Sequence, residues 1–453
     1  MAKIAHANAN PTKAFFVRMI TRDISLEDCI FDLIDNSIDG AWQIEGSQPM
    51  SLDGGVRLDE YQIEIEAFSD RFRIVDNCGG ITLDEAAEYA FTFGRKDDEK
   101  HESYSIGVYG IGMKRAVFKM GSRIKIRSTY RKDNGSNESF LVPISVDEWL
   151  QDDESKSWDF DIETAEDLDS AGVEVFVDKL NESTSNAFGD PGFVRRLGRT
   201  IARDYSLHLH RGLKIRLNGI ELKGWQIELR EGDEFAPMRI EYVDQVEDGE
   251  VSVEILAGMA APPPESADPD EQSDDELRSG WYVVCNGRIV LAADRTRQTG
   301  WGTEGWPKWH PQYAGFLGLI LFASENAKLL PITTTKRSID ASSEVFHRAL
   351  PRMRDVSKEW TGYTNVRKQN LNEAKELEAQ TKASSIFNVE MREAVVLPKI
   401  AAKPKVPMAN ILFSRPREKV RKLADEFGNI NMSYRDVGIR AFDFAYAEHV
   451  GDD

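Results

Sequence analysis

Cysteine is scarce. Cys29, Cys78 and Cys285 stand far apart in 453 residues. Three such residues exclude a disulfide scaffold and a CxxC-type zinc site, and they fit a reducing compartment. Long hydrophobic runs are also missing. No apolar stretch reaches the roughly 18 residues that a membrane span needs. The first residues, MAKIAHANANPTKAFFV, lack the charged, apolar and cleavage regions of a signal peptide. A cytoplasmic protein with no membrane contact is expected. Basic charge is in deficit, with 57 Lys and Arg against 77 Asp and Glu and a net charge of -20. That excludes nucleic-acid binding over most of the surface. The exception runs from Lys399 to Lys422, where eight basic residues stand with one acid, Glu418. Any DNA contact is expected there.

What is present reads as an α/β (α+β) protein with ample length for two to four domains. Ser25 caps a helix over LEDCIFDLIDNSIDGAW, with Leu26, Ile30, Leu33, Ile34, Ile38 and Ala41 as its apolar stripe. YQIEIEAF, RFRIVDN, SRIKIRSTY and GVEVFVD alternate as strands. Helices over one face of a mixed sheet follow, as a two-layer sandwich over residues 1–185. The composition turns to Asn, Ser, Gly and Asp near Asn181–Pro191. A second domain over 186–345 then has a helix, FVRRLGRTIARDYSLHL, and the strands KIRLNGI, MRIEYV, VSVEIL, WYVVCNGRIVL and GFLGLILFAS. An acidic, proline-rich stretch near 261–279 reads as a disordered loop. Residues 346–395 read as helical. The last module, 396–453, reads as a short strand and two helices.

Four motifs carry the chemistry. DLIDNSIDGA places Asp32, Asn36 and Asp39 on one helix face. An acid and an amide one turn apart suit water activation and Mg²⁺ ligation by hard oxygen ligands, and equally describe a solvated polar face. DNCGGI puts Asp76 at a strand end, followed by glycines that include Gly80. Such a carboxylate can accept a bond from an exocyclic base amine, and the same residues also make ordinary turns. GVYGIGMK spans Gly107, Val108, Tyr109, Gly110, Ile111, Gly112, Met113 and Lys114. Glycines before a helix free backbone N–H groups for phosphate, and Lys114 adds charge. PITTTKRSID carries Lys336 far downstream.

In this order and spacing, the motifs resemble the GHKL ATPase superfamily of gyrase B subunits, MutL, the ninety-kilodalton heat-shock chaperone, MORC proteins and histidine kinases. The resemblance covers roughly residues 10–345. It implies a Bergerat-type ATP-binding domain followed by a β-α-β transducer domain, the latter marked by the NGR of YVVCNGRIV and the TTTK loop. It also implies ATP and Mg²⁺ as ligands and a nucleotide-dependent homodimer. By resemblance, Asn36 ligates Mg²⁺, Asp76 binds the adenine amino group, and Gly80 lets the backbone pass the base. Gly107, Gly110 and Gly112 wrap the triphosphate as a lid closes, and Lys336 reaches the γ-phosphate. Asp32 stands where the family has a water-activating glutamate.

Two residues depart from the family. Asp32 is one methylene short, and displacements of about 1 Å can cost ~100-fold in rate. Cys78 replaces the first glycine of the adenine motif and requires a negative φ there. The implied function is an ATP-dependent clamp, MORC-like or chaperone-like, that serves a protein partner encoded elsewhere or a DNA transaction, with defence against foreign DNA as an association. A nucleotide-gated scaffold that barely hydrolyses ATP is an alternative. So is the ATPase subunit of a topoisomerase-like or mismatch-repair-like complex. A histidine kinase is disfavoured, because only His6 precedes the first motif. The C-terminal module resembles ribbon-helix-helix proteins in pattern, with Ser414, Arg415 and Arg417 on or beside the ribbon. A helical clamp that docks the dimer or a partner remains open beside DNA binding.

Overall fold

A computed structural model describes residues 11–46, 50–92, 104–106, 112–151, 158–264, 278–333, 335–400 and 409–451. The chain forms two compact units, residues 1–402 and 403–453. The first unit is built on two sheets.

The first sheet grows from strands with strict alternation. These are β1 (Gln62–Phe68), β2 (Arg71–Asp76), β3 (Gly121–Arg131), β4 (Asn137–Ser145), β5 (Glu163–Thr164), β6 (Gly172–Leu180), β7 (Lys214–Leu217) and β8 (Ile220–Glu221). Their order is β5-β4-β3-β6-β2-β1-β7-β8. All neighbours are antiparallel except β1 and β7. On one face Ile63, Ile65, Phe72, Ile74, Ile124, Ile126, Val175 and Val177 are buried in one core with the apolar residues of the first helices. On the other face the signs alternate across strands: Arg216 meets Glu64 at 3.1 Å, and Glu174 takes Arg73 at 2.7 Å and Arg127 at 2.6 Å. The period of two thus separates an apolar layer from a charged one.

Over the apolar face lie α1 (Lys13–Arg22), α2 (Leu26–Ile44), a single turn α3 (Leu83–Glu85) that runs into a π-turn over Ala86–Ala90, α4 (Gly112–Met120) and α5 (Val146–Gln151). Ser25 caps α2 by accepting the Asp28 N–H at 3.0 Å, and its hydroxyl donates to Asp28 Oδ2 at 2.7 Å. Ile30, Leu33, Ile34, Ile38 and Ala41 are buried as the periodicity requires. Asp32, Asp35 and Asp39 are buried too, so α2 is enclosed on nearly every side.

The sheet runs past the boundary expected at residue 185. After α6 (Glu182–Gly189), α7 (Pro191–Asp204) and α8 (Ser206–His210), β7 returns to lie parallel to β1. The polar stretch near 181–191 is the helix α6 and the Asp190 cap of α7, not a break between domains.

The second sheet holds β10 (Met238–Val246), β11 (Gly249–Met259), β12 (Gly280–Cys285), β13 (Arg288–Asp294) and β14 (Phe316–Ala323) in the order β10-β11-β14-β12-β13. Its central strands are buried on both faces, which explains their continuous apolar runs. The long helix α9 (Glu344–Arg367) packs Phe346, Met353 and Trp360 into this core. Residues 346–395 are not helical throughout. After α10 (Leu371–Ala379), β15 (Lys382–Ser385) pairs antiparallel with β9 (Glu228–Glu231). Four residues of that kind carry too little alternation to outweigh the helical run before them. The acidic stretch over 265–277 lies outside the described residues.

In the second unit α11 (Arg417–Glu426) and α12 (Tyr434–His449) are present as expected, and Ser433 caps α12. The expected strand is absent from its described residues: 409–416 are neither helix nor strand. Ala424 and Val437 are its buried side chains, while Leu412, Phe413, Phe442 and Phe444 are exposed.

His208, on α8, is buried between the rings of Trp42 and Tyr205, and neither of its ring nitrogens has a hydrogen-bond partner. Burial pushes its pKa down to about 4. The unfolded chain accepts a proton below about pH 6.5 that the folded state refuses. Stability is therefore lost as pH falls from about 6.5 to 4, by about 3 kcal/mol from this group. Urea unfolding at stepped pH is expected to show a shallower loss for His208→Leu than for the wild type over that window.

Candidate functional site

The site is built where α2 meets the start of α4, the turn after β2 and two loops of the second sheet. Asp32, Asn36 and Asp39 project along α2 as the spacing requires, but their surroundings differ. Asn36 is exposed. Asp39 is buried, and its Oδ1 accepts the Ile106 N–H at 2.7 Å. It thereby anchors the chain next to the glycine-rich loop. Gly107, Val108, Tyr109, Gly110 and Ile111 of that loop lie outside the described residues, as do Arg95, Lys96, Lys100 and His101.

Gly112 opens α4 hard against α2. A Cβ there would lie 3.1 Å from Asp32 Cγ, so only glycine lets the two helices approach this closely without one shifting. Met113 is buried in the core. Lys114 is buried as well, and its ammonium donates to the carbonyls of Ala90, at 2.9 Å, and Thr92. The expectation that Lys114 adds charge to a phosphate cradle is corrected in this respect. The lysine ties α4 to the residues after the π-turn, where buried carbonyls need a donor.

Asp76 closes β2. Its Oδ2 accepts from Ser37 Oγ at 2.6 Å, and its Oδ1 accepts the N–H groups of Cys78 at 2.9 Å and Val173 at 3.2 Å. Burial raises its pKa, and these three donors offset part of that rise. Gly80 has φ +78°, and a Cβ there would lie 2.2 Å from the Thr129 carbonyl oxygen, so the turn requires glycine. Ser128 fixes the next residue, accepting from Ile81 N at 2.7 Å and donating to Ile81 O at 2.8 Å. Cys78 is not among the positive-φ residues, which is the condition under which it can replace a glycine.

The second sheet reaches this site through both features singled out in the sequence. In the Asn-Gly-Arg turn, Asn286 donates to the Ser105 carbonyl at 2.9 Å. Arg288 is fully buried and pairs with Asp35 Oδ2. The loop after β14 carries Lys336 at φ +55°, inside a tight turn closed by Lys336 N to Thr333 O at 2.9 Å. Its ammonium lies 2.6 Å from Asp35 Oδ2 and 3.3 Å from Asp32 Oδ1. The next residue, Arg337, pairs with Asp28 and covers the Phe31 ring. Burial would raise the Asp35 pKa, but Arg288 and Lys336, helped by the Tyr205 hydroxyl at 2.7 Å, hold it below the ordinary carboxylate value. Burial would lower the Lys336 pKa, but Asp35 and Asp32 hold it above the ordinary value.

Sequence reasoning passed over four of these residues. Asp35 stands inside the first motif, but its partners come from 170 or more positions downstream. Ser37 is one turn before Gly40, with no mark of a role. Tyr205 belongs to an apolar pattern. Arg115 follows Lys114 on α4, and its Nε and Nη2 reach Asp32 Oδ2 at 2.7 and 2.6 Å.

Residues 24–168 match the family described as Histidine kinase-, DNA gyrase B-, and HSP90-like ATPase. This part of the chain is a GHKL-type ATPase domain. No curated protein matches the chain.

Asp35 is the partner of one fully buried arginine and one buried lysine. Asp35→Asn leaves Arg288 with no other carboxylate in contact, and removing one member of such a buried pair costs about 3–5 kcal/mol. Tyr205→Phe removes one hydrogen bond to a charged group and costs about 1.5–3 kcal/mol. Denaturant titrations of the two variants are expected to fall in that order.

Proposed function

We propose that the protein is an ATP-driven conformational switch. Nucleotide binds between α2, the turn after β2 and the start of α4, and the second sheet reads its γ-phosphate through Lys336. The observation that carries this reading is the position of Lys336. A residue 304 places downstream of Asp32 lies 3.3 Å from it, within a domain of the ATPase family.

The residues fit the group. Asp76 offers a buried acceptor to an exocyclic amine, beside backbone that glycines keep close. Asn36 is the exposed oxygen ligand on the same helix as Asp32. Among the described residues no cluster of three or more His, Cys, Asp or Glu could cage a metal ion. A single carboxamide suits Mg²⁺ held mainly by phosphate oxygens and water. That ion would neutralise triphosphate charge. Asp39 and Lys114 hold the two ends of the glycine-rich loop's surroundings, so that residues 107–111 can fold over the phosphates.

The switch is a competition. Without nucleotide, Lys336 is shared by Asp35 and Asp32. A γ-phosphate offers a stronger, multiply charged partner, and the loop carrying Lys336 follows it. Asn286 and Arg288 lie on the same sheet, so the shift passes from the loop near Ser105 to the second sheet. Asp32, relieved of Lys336, accepts a hydrogen bond from the attacking water. Two chains then clamp through their ATPase domains, and hydrolysis resets them. A nucleotide-gated scaffold is the second reading. It is favoured by the pairing of Asp32 with Arg115 and Lys336 together, which leaves neither oxygen free.

Light scattering coupled to size exclusion tests the switch. The mass is expected to rise with a non-hydrolysable ATP analogue and Mg²⁺ but not with ADP, and Lys336→Ala abolishes the rise while ATP still binds. An unchanged mass in all states together with no ATP affinity would overturn the proposal. Phosphate release separates the two readings: sustained turnover that Mg²⁺ chelation stops is expected of the switch, and stoichiometric retention of ATP of the scaffold.

A further inference from the structure

The ATPase reading has a consequence for the shortened acid, and the inference rests on that reading. We propose that Arg115 is a positioning residue for hydrolysis. It fixes one oxygen of Asp32 so that the other faces the place Lys336 vacates, and so compensates for the missing methylene.

Three observations support this. First, the two Asp32 oxygens have different partners. Oδ2 takes both Nε and Nη2 of Arg115, at 2.7 and 2.6 Å, while Oδ1 takes Lys336 at 3.3 Å. The tight contact is to the cation on α4, within the same domain. The loose contact is to the cation on the mobile partner sheet's loop, which has a closer carboxylate at Asp35, 2.6 Å away. Lys336 can therefore leave Asp32 while Arg115 stays.

Second, the pair is built into the backbone. Gly112 allows α4 to press on Asp32, and Arg115 is the residue three places on, which returns to the same helix face. The space into which a longer acid would extend is taken by Gly112 and the Arg115 guanidinium. The helix approaches the short side chain, where a longer side chain would otherwise reach toward the helix.

Third, the pair is shielded. The side chain of Asp32 is 4% exposed and that of Arg115 is 13% exposed, so solvent screens their attraction far less than that of a surface pair. A two-donor contact of this kind fixes the carboxylate's rotation as well as its place. Catalytic groups must be held within about 0.5 Å of the working geometry.

In hydrolysis the water oxygen forms a bond to the γ-phosphorus while the bond from phosphorus to the β–γ bridging oxygen breaks. ADP leaves with that electron pair. The water's proton passes to Asp32 Oδ1 and from there to the released phosphate or solvent. Arg115 touches none of the reacting atoms and acts by orienting Oδ1.

The test is steady-state ATP turnover by the full chain, with ATP-analogue affinity measured alongside. Arg115→Ala is expected to lower kcat on the order of 10- to 100-fold while KM and analogue affinity stay within about threefold. Arg115→Lys, which keeps the charge and loses the two-donor geometry, is expected to recover part of the rate. Asp32→Glu alone is expected to slow turnover, because the longer acid displaces Arg115. Combining Asp32→Glu with Arg115→Lys is expected to restore part of it. If Arg115→Ala melts below the assay temperature, Arg115→Met keeps the aliphatic stem and decides the same question. Unchanged kcat in the Arg115 variants would overturn the inference, as would a rise in KM with kcat intact or Asp32→Glu exceeding the wild type. Failure of the ATPase reading looks different: the wild type itself then neither binds nor turns over ATP, and the inference falls with it.

Discussion

Asp35 is the charge on which the rest of the molecule depends. It is fully buried on α2, and it accepts from Arg288 and Lys336 of the second sheet and from Tyr205 of the segment between the sheets. An unpaired carboxylate in that position would be too costly to keep ionised. Its three partners come from three later segments, so the segments must converge on α2 before the charge can be buried. The same geometry aims Lys336 at Asp32. The interaction that joins the sheets and the interaction that places the lysine are therefore one network, and a group that draws Lys336 away also weakens a junction between sheets.

Close approach is the second constraint. Gly80 and Gly112 sit where a Cβ would meet the Thr129 carbonyl or the Asp32 side chain. One shapes the turn beyond Asp76, and the other brings α4 and its arginine onto the acid. Asp76 is held by three donors from three elements, so its direction is fixed before any ligand arrives. Such preorganisation lowers the cost of binding.

Much of this was legible in the sequence because the signals are local. Alternation over RFRIVDN and the Ser25 cap gave the strand and helix that carry Asp76 and Asp32, and motif order placed Lys336 in the same site. The rest depends on contacts that have no local signature. Nothing in the composition of 181–191 distinguishes a loop between domains from the helix cap found there, since both favour Asn, Ser and Asp. Lys114 follows the glycine motif, as a phosphate ligand would, and its true partners are carbonyls of the preceding segment. Arg115 could be placed on a helix face, but which face meets Asp32 is set by the packing that Gly112 allows. The ribbon expected at 409–416 reads as a strand because Ile411, Leu412 and Phe413 are apolar. A strand needs a neighbour to pair with, and none is found among the described residues of that unit.

The central claim is that Lys336 exchanges buried carboxylates for a γ-phosphate. Calorimetric titration of ATP analogue and of ADP into the wild type and Lys336→Met tests it most directly. The account predicts that the wild type binds the triphosphate more tightly than the diphosphate, and that this preference vanishes in the variant while ADP affinity is kept. A preference that survives in Lys336→Met, or a wild type that does not discriminate the two nucleotides, would contradict it.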